Sequence, residues 1–180
     1  STHDIVRRYF VVNGFDGALT MLGLIIGFLV SSPENLSIII NVCLGAAIAL
    51  GMSGLSSAYI SEYAERRRAL SKLQQAMISD MKESAHREAS HWVPLVIAMV
   101  NGLAPLIISL VILIPLWLSI AGFALPIPPL YAAIIIALML IFLLGVFLGR
   151  IAGISWIISG MQTMVVAVVT VILIYLFVGY

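Results

Sequence analysis

Residues Val11–Val30 read VVNGFDGALTMLGLIIGFLV, an apolar helix-length run with a carboxylate, Asp16, in its first half. A bilayer core takes about 20 apolar residues per crossing helix, so this run is long enough to span one. An ionised side chain at such a depth costs several kcal/mol on insertion scales, at least ~2.5. Asp16 lies seven residues past Tyr9, about 10 Å along the helix at 1.5 Å per residue. It is the single acidic residue inside any apolar segment of the chain.

The whole chain carries the same signature. Of its 180 residues 62% are hydrophobic and 9% charged, with a mean hydropathy of +1.17. Soluble domains carry roughly 25% charged residues, so a soluble globular domain is excluded. Five apolar runs predict an all-α integral membrane protein with one membrane domain. The reading divides it into residues 1–60 (a polar lead and helices 1 and 2), 61–91 (a polar segment) and 92–180 (helices 3 to 5). Cys43 has no intrachain partner and reads as a packed small residue. The first run is too long, and interrupted by Asp16, for a cleaved signal peptide.

Residues 1–8 read as a short cytoplasmic polar lead, or alternatively a helix lying at the interface, with Tyr9 and Phe10 at the headgroup boundary. Helix 1 is expected from about Tyr9 to Val30, with Gly23 and Gly27 forming a GxxxG pair for close helix approach. Helix 2 is expected over Leu36–Ile60, its middle crowded with Gly, Ala and Ser around Met52. Such composition marks a helix packed among other helices. Ser61–His91 holds five of the eight acids and six of the nine Lys and Arg. Leu70, Leu73, Met77 and Met81 share one helical face there, which predicts an amphipathic cytoplasmic segment. Helix 3 (about Trp92–Ala121) contains Pro94, Pro105 and Pro115; helix 4 covers about Leu130–Gly149 and helix 5 about Ile154–Val178. Val12-Asn13-Gly14 recurs as Val100-Asn101-Gly102, too short a match to establish a repeat. With the N-terminus inside, every Lys and Arg faces the cytoplasm, which orients the chain with its C-terminus outside.

Several residues are candidates for chemistry. Asp16 can bind a cation when ionised and release it when protonated, the minimum equipment for exchanging a metal against protons. Its structural alternative is a carboxylate that bonds Ser, Thr or Asn on neighbouring helices. Met21 and Met52 add soft thioethers suited to a borderline transition metal, although Met is more often plain packing. In the polar segment Glu62 and Glu65, Glu83 and His86, and Glu88 and His91 stand three apart, a spacing that shares a helix face. Glu-x-x-His on a helix is a ligand pattern of di-iron carboxylate bundles. The plain alternative is a solvated face of ordinary ion pairs with Arg66, Arg67, Arg68 and Arg87. No His-Glu-x-x-His, Gly-x-Ser-x-Gly or phosphate-binding loop occurs, so the chain is not expected to be an enzyme.

Taken together, these stretches resemble the vacuolar iron transporter family, Fe²⁺/Mn²⁺ transporters with five membrane helices and a polar segment between helices 2 and 3. VNGFDGALTMLGLIIG is similar to that family's Asp-Gly motif and the apolar run after it. LGMSGLSSAYISEYAERR resembles the end of its helix 2, and NGLAPLIISLVILIPLW its Pro-containing helix 3. Where the family shows Gly-Glu-Tyr, this chain has Ser57-Ala58-Tyr59. The resemblance implies a homodimer whose metal path runs between the two copies, lined by helix 1. It also implies export of Fe²⁺ or Mn²⁺ from the cytoplasm against protons, with Zn²⁺ a possible surrogate and no prosthetic group. Asp16 and Met52 would line that path. The expected partners are metal ions, protons and lipid, without nucleic acid, and the expected location is a prokaryotic plasma membrane. The competing expectation is a non-transporting membrane scaffold or regulator in which Asp16 is structural.

Overall fold

In a computed structural model the chain forms five α-helices, α1 Thr2–Ser31, α2 Leu36–Met77, α3 Ala85–Ile120, α4 Pro129–Ala152 and α5 Trp156–Val178. The structure describes residues 2–31, 35–77 and 85–178, and the side chains of 6–31, 35–69, 71–72 and 95–178 within them. All five helices are long and apolar enough to cross a membrane, and there is no strand among the described residues.

The helix ends follow local chemistry. Asn35 caps α2, its Oδ1 accepting from the Ser37 N–H at 2.8 Å. α3 stops at Gly122, whose φ of +86° only glycine adopts without strain. There the Phe123 N–H reaches Leu118 O (3.0 Å) and the Gly122 N–H reaches Ser119 O (3.1 Å), the paired bonds of a Schellman motif. α4 starts at Pro129, whose missing N–H costs nothing in a first turn. It ends at Gly153, φ +69°.

Two boundaries differ from expectation. The polar lead is not a separate interfacial helix, because α1 is helical from Thr2. Residues 61–77 likewise continue α2, giving a 42-residue helix that is about 63 Å long. Residues 85–91 open α3. The described part of the polar segment is thus helix extension, while 78–84 lie outside the described residues, Met81 and Glu83 with them. A run of Ala, Leu, Lys, Arg and Gln after Tyr63 has high helix propensity, and nothing in it breaks the ladder.

α1 and α3 form the centre. α2 lies chiefly against α3 and barely touches α1, α4 lies against α1 and α3, and α5 packs on the outside of α4 and α1. The core between them holds Met21, Leu22, Ile25, Ile39, Ile112, Leu113, Leu116 and Ile141, all fully buried, with Cys43. α1 and α3 run parallel and cross closely at Gly17. A Cβ there would lie 2.7 Å from Pro105 Cα and 2.8 Å from Pro105 O. α2 meets α3 as tightly, since a Cβ on Gly54 would lie 2.7 Å from Asn101 O and one on Gly102 2.6 Å from Gly51 O. Small residues at these crossings bring backbones together, so that dispersion and polar contacts can hold helices that lipid cannot drive together. The Gly23–Gly27 pair is not such a crossing: a Cβ at Gly27 would meet nothing within 4 Å, and one at Gly23 only Ile174 Cδ1 at 3.6 Å.

Candidate functional site

A polar junction of three helices lies where the two Val-Asn-Gly triplets meet. Asn13 donates from Nδ2 to its own helix at Tyr9 O (2.8 Å) and across to Asn101 Oδ1. Asn101, 7% exposed, passes the link on by donating from Nδ2 to Gly54 O at 2.9 Å. One amide pair therefore joins α1, α3 and α2. The facing pairs Asn13/Asn101 and Gly17/Pro105 share one offset of 88 residues, so the parallel crossing keeps a single register through more than a turn. Pro105 leaves one bond out of the α3 ladder, and the Ser109 hydroxyl donates to Pro105 O at 2.6 Å within that same turn. The recurrence of the triplet was the sequence signal for this junction, although its length was too short to carry the inference.

Asp16 stands three residues past Asn13 on α1, about 60° round the helix from it and further from the covering helices. Its side chain is exposed on the surface of the single chain, and among the described residues it has no hydrogen bond or ion pair. Met52 is also on the outside, 59% exposed. Met21 is not beside them: it is fully buried in the core with Leu22 and Ile25. One outer strip of α2, Asn41, Gly45, Ala49, Met52, Ser53 and Ser56, is exposed and, apart from Met52, small or polar. The Ser56 hydroxyl is satisfied by its own helix, donating to Met52 O at 2.8 Å.

Glu62 and Glu65 lie elsewhere, in the extension of α2. They line a cavity of about 380 Å³ together with Arg8, Tyr9, Arg66 and Ala69. Glu62 Oε2 is 3.7 Å from Arg66 Nε, and that nitrogen is buried without a hydrogen-bond acceptor. Arg8 sits over the Tyr9 ring, 5.8 Å from its centroid. Two guanidinium groups in the lining oppose a bound metal cation, and no group of three or more His, Cys, Asp or Glu that could hold a metal occurs among the described residues. Of the other predicted ligands, Glu83 lies outside the described residues. His86, Glu88 and His91 fall on the first turns of α3, and their side chains lie outside them too. Arg8, one of the two guanidinium groups of the cavity, was missed in the sequence because it is 54 residues from Glu62; a basic residue beside an interfacial Tyr was the available sign.

No protein-family model matches the chain. It is 30% identical over 172 residues to the uncharacterized protein MJ0645 of Methanocaldococcus jannaschii, an alignment that covers 94% of this chain and 86% of that protein. Identity at that level along nearly the full length of both makes the chain a member of the same family as MJ0645 of Methanocaldococcus jannaschii.

Proposed function

We propose that this protein is a membrane-spanning transporter of divalent transition-metal ions, Fe²⁺ or Mn²⁺, that exports them from the cytoplasm in exchange for protons. Asp16 carries the proposal. A carboxylate inside an apolar span is costly against lipid, and within one chain Asp16 has no partner among the described residues. A homodimer removes the cost by closing a polar path over Asp16, and the exposed small and polar strip of α2 is the surface composition that helix–helix contact uses. In that arrangement Asp16 ligates the ion when ionised and releases it on protonation, with Met52 as a soft second donor. Capture at the cytoplasmic end falls to Glu83, His86, Glu88 and His91, because Glu62 and Glu65 share their cavity with Arg8 and Arg66. All the Lys and Arg then lie on the cytoplasmic side, which supports an inside N-terminus in a prokaryotic plasma membrane.

The test is Fe²⁺ and Mn²⁺ flux into proteoliposomes with and without a pH gradient, wild type against Asp16→Asn. Flux that follows the gradient and disappears in a well-folded variant is the expected result. A second reading, a scaffold without transport, is favoured by Ser57-Ala58-Tyr59, which puts no glutamate at the end of the α2 span. Absence of flux from folded wild type under every gradient would establish that reading instead.

A further inference from the structure

The cavity between the start of α1 and the extension of α2 is not explained by metal transport. Its described lining is charge-balanced, with Arg8 and Arg66 against Glu62 and Glu65, and Tyr9 beside them. Glu62 and Arg66 face each other one turn apart on α2. Arg8 and Glu65 come from different helices and, among the described residues, form no ion pair with each other or with any other group. Among the described residues, the cavity therefore presents one unpaired cation and one unpaired anion to whatever enters it. A metal ion would be repelled by Arg8 and Arg66, and a simple anion by Glu62 and Glu65. A ligand with both charges, separated by a short linker, meets both ends.

The depth of the two ends orders that ligand. Tyr9 and Val6 pack with Leu55, Ala58, Ile97 and Ala98, which sets Arg8 close to the level of Ala58. Glu65 is seven residues further along α2, about 10 Å beyond that level and away from the apolar span. The root of Arg8 thus lies where the apolar run of α2 ends, near Ile60, and the root of Glu65 lies beyond it. In a phospholipid the phosphate is next to the glycerol and an amine, where there is one, projects beyond it into water.

Resting on the membrane-spanning reading but not on transport, we infer that this cavity binds a phosphoethanolamine group, its phosphate on Arg8 and its ammonium on Glu65. Arg suits phosphate because its planar donors meet two oxygens at once. A primary ammonium gives up three N–H donors to a carboxylate, which a quaternary amine does not possess. The volume of about 380 Å³ falls within the range of small-ligand sites.

Native mass spectrometry of the full chain in detergent, titrated with phosphatidylethanolamine, phosphatidylglycerol and phosphatidylcholine, tests the assignment. Phosphatidylethanolamine should be retained about tenfold more strongly than either other lipid, the scale of one charge-assisted hydrogen bond. Glu65→Gln should erase the preference over phosphatidylglycerol, Glu65→Asp should keep most of it, and Arg8→Ala should weaken all three lipids. Equal retention of the three lipids by wild type, or a preference unchanged in Glu65→Gln, would overturn the site. Soluble phosphoethanolamine supports it in either outcome: competition assigns recognition to the headgroup alone, and its absence, with the lipid preference intact, assigns the lipid as the source. Carbonate extraction of the source membranes separates the two readings. Release of the protein would defeat the spanning reading, whereas loss of the preference in a carbonate-resistant protein defeats the cavity alone.

Discussion

Asn13 and Asp16 lie within one turn of each other on α1, and the helical bundle treats them in opposite ways. Asn13 bonds Tyr9 O and Asn101 Oδ1, and through Asn101 the link reaches Gly54 on α2. Asp16 faces outward, and among the described residues nothing bonds it. A polar group among apolar helices that is satisfied within the chain serves the fold; one that is left unsatisfied needs something from outside it. The contrast breaks most sharply at Asp16→Asn. That change should lower metal flux by about 100-fold or more, beyond the upper end for loss of a group that only supports a ligand. The melting temperature in detergent should stay within a few degrees of wild type, since no contact within the chain is lost. A folding defect of the same size as the flux defect would move Asp16 to the structural side of the comparison.

The next effect in size belongs to the satisfied side, and it concerns packing. Gly17→Val would drive side-chain atoms into Pro105, where even a Cβ would lie 2.7 Å from its Cα. Backbone cannot swing aside as a flexible side chain can. Separation of α1 from α3 should cost about 3 kcal/mol or more, at the upper end for overpacked sites, read as the midpoint shift in a detergent-denaturation series. Asn101→Leu follows. It removes the bonds to Asn13 and Gly54 together, and interhelical side-chain bonds within membranes contribute about 0.6 to 2 kcal/mol each. The double variant with Asn13→Leu should be less damaging than the two single losses added together, because the bond between the amides is removed once. Strict additivity would mean that the two amides act independently.

How far the sequence carried these conclusions depends on the range of the signal involved. The five helices were legible because a run of about 20 apolar residues is a local feature. Asp16 was legible because a single charge stands out against such a run. The 42-residue reach of α2 was not, since hydropathy reports the solvent around a helix and not where its backbone ladder stops. Nor was the partnership of α2 with α3 in preference to its chain neighbour α1, which depends on Gly51, Gly54 and Gly102 fitting one another across about 50 residues. Met21 and Met52 have the same chemistry in sequence and opposite exposure in the fold, a difference set by which side of each helix the neighbours cover. The junction of Asn13 with Asn101 lay in plain view as a repeated triplet. Its meaning depended on the parallel register of two helices 88 residues apart.

The smallest effect sharpens the comparison by the same logic applied to glycine. Gly17 and Gly27 lie on one helix, and only Gly27 reads in the sequence as part of a close-approach pair. A Cβ at Gly17 meets backbone, while a Cβ at Gly27 meets open space. Gly27→Ala therefore removes backbone freedom from the unfolded chain without a clash in the folded one, a change that stabilises helices by roughly 0.5 to 1 kcal/mol. A slightly raised midpoint in thermal scanning is the expected outcome for the isolated chain. The oligomeric form adds a second readout, because a copy seated over Gly27 would feel the added methyl that the single chain does not. Loss of dimer in Gly27→Ala, with the monomer's stability kept or improved, would place the Gly23–Gly27 face at the contact between copies. A dimer unaffected by the change would exclude the Gly23–Gly27 face as the contact of the proposed homodimer and turn the test to the exposed strip of α2, with Gly45, Ala49 and Ser53.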